Sequence, residues 1–277
     1  MNARLGTEPS PLRQEPLEVA PETFLIRAVH RNLGGTVTTN MNSLVIRAAE
    51  PVIVDTGMVT DRVAWLEDVF SLVEPGRVRW IFLTHDDDDH TGNLSEALQL
   101  CRNATVVTSW AGRGRTCLAF DIPLERVRTV DDDGVLDVGD RTLRAIRPPV
   151  YDSAYTRGVF DPRTRVYFAS DAFCAPMPPT PVDRVDELPP DSWAQGMVMF
   201  HHHSLAPWLA MVDERKYRRE VEKLATVGAE VIVGSHTPVI AGPSIEQALA
   251  HLAALPSTVP PPLSSTTATV GARRPTD

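Results

Sequence analysis

The sequence has little that would cross-link it, anchor it in a membrane or draw it to a polyanion. Its three cysteines, Cys101, Cys117 and Cys174, are scattered over 277 residues with no CxxC pair. That spacing argues against a disulfide framework and a zinc ribbon, and a reduced, cytoplasmic setting is the expectation. No apolar run is long enough to span a bilayer, and Met1 to Ala20 lacks the apolar core of a signal peptide. Positive charge is in short supply, with a formal net charge of −9. Such a chain gains nothing from bulk attraction to a phosphate backbone, so nucleic-acid partners are set aside. No internal repeat is present.

What remains is enough for one sizeable core, 43% of the residues being hydrophobic. Residues 1–21 carry four prolines among charges and are expected to be disordered, as is the Pro/Ser/Thr-rich stretch 256–277. The folded part is then 22–255. Strands are predicted at Phe24–Val29, Ser43–Arg47, Pro51–Val54, Val78–Leu83 and Thr105–Val107. Thr60 and Asp61 are placed to cap a helix whose apolar face is Val63, Leu66, Val69, Phe70 and Val73, and Thr91–Leu100 reads as a second helix. From Val127 to Ser170 strands dominate, with turn signals at Asp133-Gly134 and Asp161-Pro162. Trp193–Val227 reads as helix broken near Pro207, Glu230–Gly234 as a final buried strand and Ile245–Ala254 as a final helix. Helices in both halves around strand blocks predict an α/β layered fold.

The segment Thr84-His85-Asp86-Asp87-Asp88-Asp89-His90 has the most chemistry in it. Two carboxylates 4 Å apart repel by about 4 kcal/mol at an effective dielectric of 20, so an ordered cluster of them calls for a cation. Most acidic runs are solvated loops, but this one follows an apolar strand at its carboxyl end, where ligands bind in open α/β sheets. No regular helix or strand lets 85, 87, 89 and 90 converge, whereas a tight loop does. The EF-hand pattern fails, since Gly and the distal Glu are missing at the required offsets.

Four motifs lie in register over residues 24–245: Asp55-Thr56-Gly57, Thr84-His85-x-Asp87-x-Asp89-His90-x-Gly92, Ser170-Asp171-Ala172-Phe173 and Gly234-Ser235-His236. Together they resemble the metallo-β-lactamase superfamily, which implies a four-layer αββα sandwich with two metal ions. Asp87, where the hydrolases have histidine, resembles the flavodiiron and oxygen-binding diiron branch. His90-Thr91-Gly92-Asn93-Leu94 and Asn42-Ser43-Leu44 point to the same branch. The resemblance implies His85, Asp87, Asp89, Asp171 and His236 as metal ligands, with Asp171 bridging. His90 is a ligand in the hydrolases and often stands just off the metal in the diiron branch. Asp55 is expected to hydrogen-bond ligands, and Asp86 and Asp88 to be solvated or to support them.

One departure stands out. The family supplies a further histidine between His90 and Asp171, and this chain has none there. Tyr151 or Asp152 falls near the missing position. Tyr151 is also a candidate proton donor or redox residue, although packing is the commoner role. The run His201-His202-His203 invites a ligand role for one of its members, because helical neighbours point apart. His30 and His251 read as structural.

A donor set of imidazoles and carboxylates without thiolate favours iron first, manganese or zinc second. The resemblance implies binding or reduction of dioxygen or nitric oxide, with electrons from a flavin. The chain ends soon after the last ligand, so a separate electron-donor protein is expected rather than a flavin domain here, and a homodimer is possible by analogy. A second reading is hydrolysis of an ester, lactone, thioester or phosphoester by metal-activated water that Asp89 positions or deprotonates. A third is a non-catalytic binding or sensor protein. Specificity is expected in the loops Leu33–Asn42, Asp152–Gly158 and Pro176–Pro190, the last as part of a lid.

Overall fold

The computed structural model describes residues 12–31, 37–189 and 191–260. Seven strands form a first sheet in chain order: β1 (Leu12–Ala20), β2 (Thr23–Arg31), β3 (Thr38–Ile46), β4 (Val52–Val54), β5 (Trp80–Phe82), β6 (Thr105–Thr108) and β7 (Val127–Thr129). Pairing is antiparallel from β1 to β4 and parallel from β4 to β7. The second sheet comprises β8 (Val135–Asp137), β9 (Thr142–Ile146), β10 (Gly158–Asp161), β11 (Val166–Phe168), β12 (Val231–Gly234) and β13 (Thr237–Ala241), ordered β13-β12-β11-β10-β9-β8. The helices are α1 (Arg62–Leu72), α2 (Asp88–Thr91), α3 (Leu94–Leu100), α4 (Trp110–Phe120), α5 (Ser192–Phe200), α6 (Glu214–Thr226) and α7 (Ser244–Ala254).

Strand alternation builds the layers. In β3, Leu44 and Ile46 point into the core between the sheets, and Val45 points out to the helices. In β4, Val52 and Val54 face inward and Ile53 outward; Phe82 and Ile81 of β5, and Val107 and Val106 of β6, repeat the division. The outer face of the first sheet is covered by Trp65 and Val69 of α1, Leu94 and Ala97 of α3, and Cys117 and Phe120 of α4. The second sheet is covered by Trp193 and Met197 of α5, Tyr217, Val221 and Leu224 of α6, and Ala248 and Leu252 of α7. The fold is therefore the four-layer αββα sandwich. No helix among the described residues is long and apolar enough to cross a membrane.

Several expectations need correction. Residues 12–20, expected to be disordered, form β1, because pairing with β2 satisfies their backbone and the register shift between Gln14 and Leu17 accommodates Pro16 at an irregular position. The folded part thus starts before residue 22; residues 1–11 and 261–277 lie outside the described residues. On α1, Val63 is 73% exposed, and the buried stripe is Trp65 and Val69. Asp61 precedes that helix without capping it, because its carboxylate pairs with His30 at 2.7 Å. The strand Val231–Gly234 is followed by one more, β13, and α4 fills a stretch where no element was expected.

Of the loops expected to set specificity, residues 33–36 and Pro190 lie outside the described residues. The 176–189 stretch is pinned rather than lid-like: Thr38 and Met177 exchange backbone hydrogen bonds of 2.8 Å, and Val185 and Leu188 are buried.

Candidate metal centre

Each buried strand ends by presenting polar side chains at the same edge of the sandwich. β4 ends in Asp55, held at φ 59°, followed by Gly57 at φ 63°. β5 leads through Leu83 into Thr84 and His85, and the chain then turns tightly into α2. Gly92 closes that turn: an added Cβ would lie 2.5 Å from Val59 N and 2.7 Å from Gly57 O, so only glycine fits. From the second sheet, β11 ends in Ser170, at φ 53°, and Asp171; β12 ends before Ser235 and His236. Asn42 of β3 ties the two sheets together, donating from Nδ2 to Gly234 O and Thr237 O.

Six side chains converge around Asp171. Its Oδ2 is 3.4 Å from His85 Nε2, while its Oδ1 is 3.3 Å from His90 Nε2 and 3.5 Å from His236 Nε2. On the His85 side stand Asp87 Oδ2 at 3.7 Å and Asp152 Oδ2 at 3.8 Å. On the other side Asp89 Oδ2 is 3.0 Å from His236 Nε2 and 3.7 Å from His90 Nε2. Two clusters result, His85 with Asp87 and Asp152, and Asp89 with His90 and His236, and a third set, His85 with His90 and Asp171, joins them; the potential ligand atoms of each set lie within 4.8 Å of one another. The two oxygens of Asp171 face one cluster each.

The far nitrogen of every histidine is already engaged. His90 Nδ1 donates to Asp55 Oδ2 at 2.8 Å, and His236 Nδ1 donates to the Asn40 carbonyl at 2.7 Å. His85 Nδ1 lies 3.3 Å from Ser170 Oγ and 3.2 Å from Thr84 Oγ1; Ser170 donates to Thr84, and Thr84 donates to Asp55. With Nδ1 held as the donor in this way, each Nε2 is the nitrogen that would give up its proton to present a lone pair to an ion.

The electrostatics follow from burial competing with this company. Burial resists protonation of His90, yet Asp171 and Asp55 raise its pKa well above the ordinary value. His236 rises for the same reason, with Asp171 and Asp89 overcoming burial, and His85 rises through Asp171 and Asp87 against both burial and His90. Burial pushes Asp171 and Asp89 up, but the histidines pull both below the usual carboxylate range. Asp152 is raised by burial and by the charge of Asp171.

A cation resolves what the protein alone leaves open. His85 Nε2, His90 Nε2 and Asp171 Oδ1 are buried and have no hydrogen-bond partner, an arrangement that native proteins tolerate where an ion completes the site. The donor set is imidazole and carboxylate, with no thiolate in either cluster. The residues fit a pair of metal ions.

All six residues expected as ligands come together, and Asp152 joins them. Tyr151 is in neither cluster: its ring packs against Trp208 at 5.3 Å and beneath the Arg147 guanidinium at 5.1 Å. None of the three consecutive histidines joins either cluster. His201 is buried with Met197 O and Ala172 O at its two ring nitrogens, and His202 Nε2 faces Leu255 O at 2.9 Å. His30 pairs with Asp61, and His251 packs edge-on against Trp193. Asp86 takes an ion pair from Arg115 at 2.7 Å, and Asp88 is exposed in the first turn of α2. Sequence reasoning missed the hydroxyls of Thr84 and Ser170 and the carbonyl of Asn40. Small polar residues directly before a ligand were the available sign for the first two; a backbone acceptor leaves no mark in a sequence.

A family model described as "ODP family beta lactamase" matches residues 37–237. Among curated proteins, the diflavin flavoprotein A 1 of Synechocystis sp. is 28% identical over 136 residues, 49% of this chain and 24% of that protein. Other curated relatives are likewise matched over 29% and 37% of their own length. Among solved structures, the rubredoxin oxygen:oxidoreductase of Desulfovibrio gigas superposes with a TM-score of 0.76 at 16% identity, covering 88% of this chain and 62% of that one. The flavodiiron protein of Giardia intestinalis superposes with a TM-score of 0.74 at 18% identity, covering 89% of this chain and 60% of that one. The chain thus spans well under half of the curated relatives it matches and about three fifths of these solved structures.

Proposed function

The chain belongs to the ODP family of β-lactamase-fold proteins, and from that premise we propose that it holds a pair of iron ions and binds or reduces dioxygen or nitric oxide. The observation that carries this reading is the set of bare Nε2 atoms around a shared carboxylate. Three imidazoles are each locked by an Nδ1 donor bond, and the two oxygens of Asp171 are divided between them. His85, Asp87, Asp89, His90, Asp171 and His236 would hold the ions, and Asp171 would fix their separation. Iron held there would supply Lewis acidity and a redox-active centre able to relay electrons from a separate donor to a small diatomic substrate. Imidazole and carboxylate suit it better than a softer ion, and Asp87 in place of a nitrogen donor strengthens that preference.

The remaining residues orient and exclude. Asp55 keeps His90 in the tautomer that leaves Nε2 free. Thr84 and Ser170 do so for His85, and the Asn40 carbonyl for His236. Leu83, Phe168 and Phe173, close to the ligands along the chain, are fully buried. Asp89 is one-quarter exposed and stands 3.0 Å from His236 Nε2, at the open side of the site. Electrons would come from a flavin-bearing donor, as the names of the flavoprotein and rubredoxin-linked relatives suggest.

The test is elemental analysis of protein produced without added zinc, with substrate consumption driven by a chemical reductant. About two irons per chain are expected, together with uptake of dioxygen or nitric oxide that His236→Ala abolishes. Stoichiometric zinc with an esterase activity lost in Asp89→Ala would instead establish the hydrolase reading.

A further inference from the structure

The stretch between His90 and Asp171 has no histidine, yet the fold delivers a donor there. After β9 the chain runs through Pro148 and Pro149 into a loop fastened on several sides. Trp208 Nε1 donates to Tyr151 O at 3.0 Å, Arg147 Nη1 to Ala154 O at 3.1 Å, and Arg157 N to Thr84 O at 2.8 Å. Within it, the Thr156 hydroxyl lies 3.5 Å from Asp152 Oδ1, which leaves Oδ2 directed at His85 Nε2, 3.8 Å away. That nitrogen is buried and has no hydrogen-bond partner of its own.

The two clusters then differ in kind. The first has one nitrogen, from His85, against the carboxylates of Asp87, Asp152 and Asp171. The second has two nitrogens, from His90 and His236, against Asp89 and Asp171. They differ in access at one residue: the Asp87 side chain is 56% exposed, whereas Asp89 of the second cluster is 24% exposed. Exchanging imidazole for carboxylate moves a site toward harder ions and weakens its discrimination in favour of zinc.

We propose that Asp152 is a metal ligand in the place of the missing imidazole, and that it makes the two metal positions unequal. The carboxylate-rich first position selects a hard ion such as manganese or iron and exchanges it readily. The histidine-rich second position holds a borderline ion such as iron or zinc. This inference rests on the two-metal reading above.

The full chain, stripped by chelation, is titrated separately with Mn2+ and Zn2+ by calorimetry, with bound metal counted after gel filtration. The parent should bind both ions of a pair, and His236→Ala, which isolates the first position, should favour Mn2+ relative to Zn2+ more than the parent does. Asp152→Ala should lose one ion per chain and keep the other. Asp152→His should keep both and shift the first position toward Zn2+ by about tenfold or more. Thermal melts of the stripped variants verify folding, and Asp152→His, which replaces one ligand type by another, keeps the test decisive if the alanine variant is unstable. Two ions bound by Asp152→Ala with unchanged affinities would overturn the inference while leaving the two-metal reading intact, as would an unshifted preference in Asp152→His. No ion bound by the parent in either titration would overturn the two-metal reading and this one with it.

Discussion

Asp55 shows how much of the site depends on atoms that touch no ion. Its carboxylate accepts from Thr84 N at 2.7 Å, from the Thr84 hydroxyl at 2.7 Å and from His90 Nδ1 at 2.8 Å. Asparagine tolerates the same left-handed backbone and keeps the shape, but it offers an NH2 group where His90 needs an acceptor. The imidazole then has to shift its proton to Nε2, which removes the lone pair from the cluster. Asp55→Asn should therefore weaken ion binding at the second position by about ten- to hundredfold. Calorimetric titration of parent and variant measures this, and equal affinities would mean that the Asp55–His90 bond does not set the tautomer.

At the scale of elements, β1 does two jobs that its proline-rich sequence conceals. It covers the outer edge of β2, which would otherwise expose a row of unpaired backbone groups. It also carries Arg13, whose Nε donates to Asp68 at 3.1 Å and whose Nη1 reaches Glu67 at 2.7 Å. Asp68 is 3% exposed on α1, so Arg13 supplies the neutralising charge for a nearly buried carboxylate. Removing residues 1–20 should lower the melting temperature by about 5 °C or more and promote self-association through the bared β2 edge. Scanning calorimetry and size-exclusion chromatography read the two effects; an unaltered, monodisperse truncated protein would show that β1 is dispensable.

For the molecule as a whole, the site is a seam between the sheets. The first sheet contributes His85, Asp87, Asp89 and His90; the second contributes Asp152, Asp171 and His236. Ions held as proposed would therefore clasp the two halves of the sandwich, and their stabilisation would depend on pH with a definite sign. In the ion-free protein the buried histidines have raised pKa values because Asp171, Asp55 and Asp89 outweigh burial. Their contribution is fully present below the unfolded value of about 6.5 and is lost as pH rises through the folded values. Ion binding runs the opposite way, since each ligand nitrogen must first lose its proton. The gap in melting temperature between loaded and chelated protein should therefore widen from about pH 6 to about pH 8. It should reach about 10 °C when free ion is about a thousandfold above its dissociation constant. A gap that narrows over that range in calorimetric scans would contradict the ligand assignment.

The chain's own order of residues was enough to single out the acidic segment 84–90, the distal residues that the fold brings beside it and the layered architecture. Apolar alternation in β3 to β6 is a local property, and the His/Asp spacing in 85–90 only makes sense as a tight loop around cations. Three things lay outside what local pattern can show. β1 is held by pairing with a distant strand rather than by its own propensity, so its prolines and charges pointed the wrong way. Tyr151 and Asp152 are neighbours with equal claim to that position in the sequence; only in the folded loop, fastened by Trp208, Arg147 and Arg157, does the Asp152 carboxylate come to His85 while the Tyr151 ring packs on Trp208. The unequal character of the two clusters is likewise decided in three dimensions, because it depends on which oxygen of Asp171 faces which histidine, a matter of how the two sheets meet.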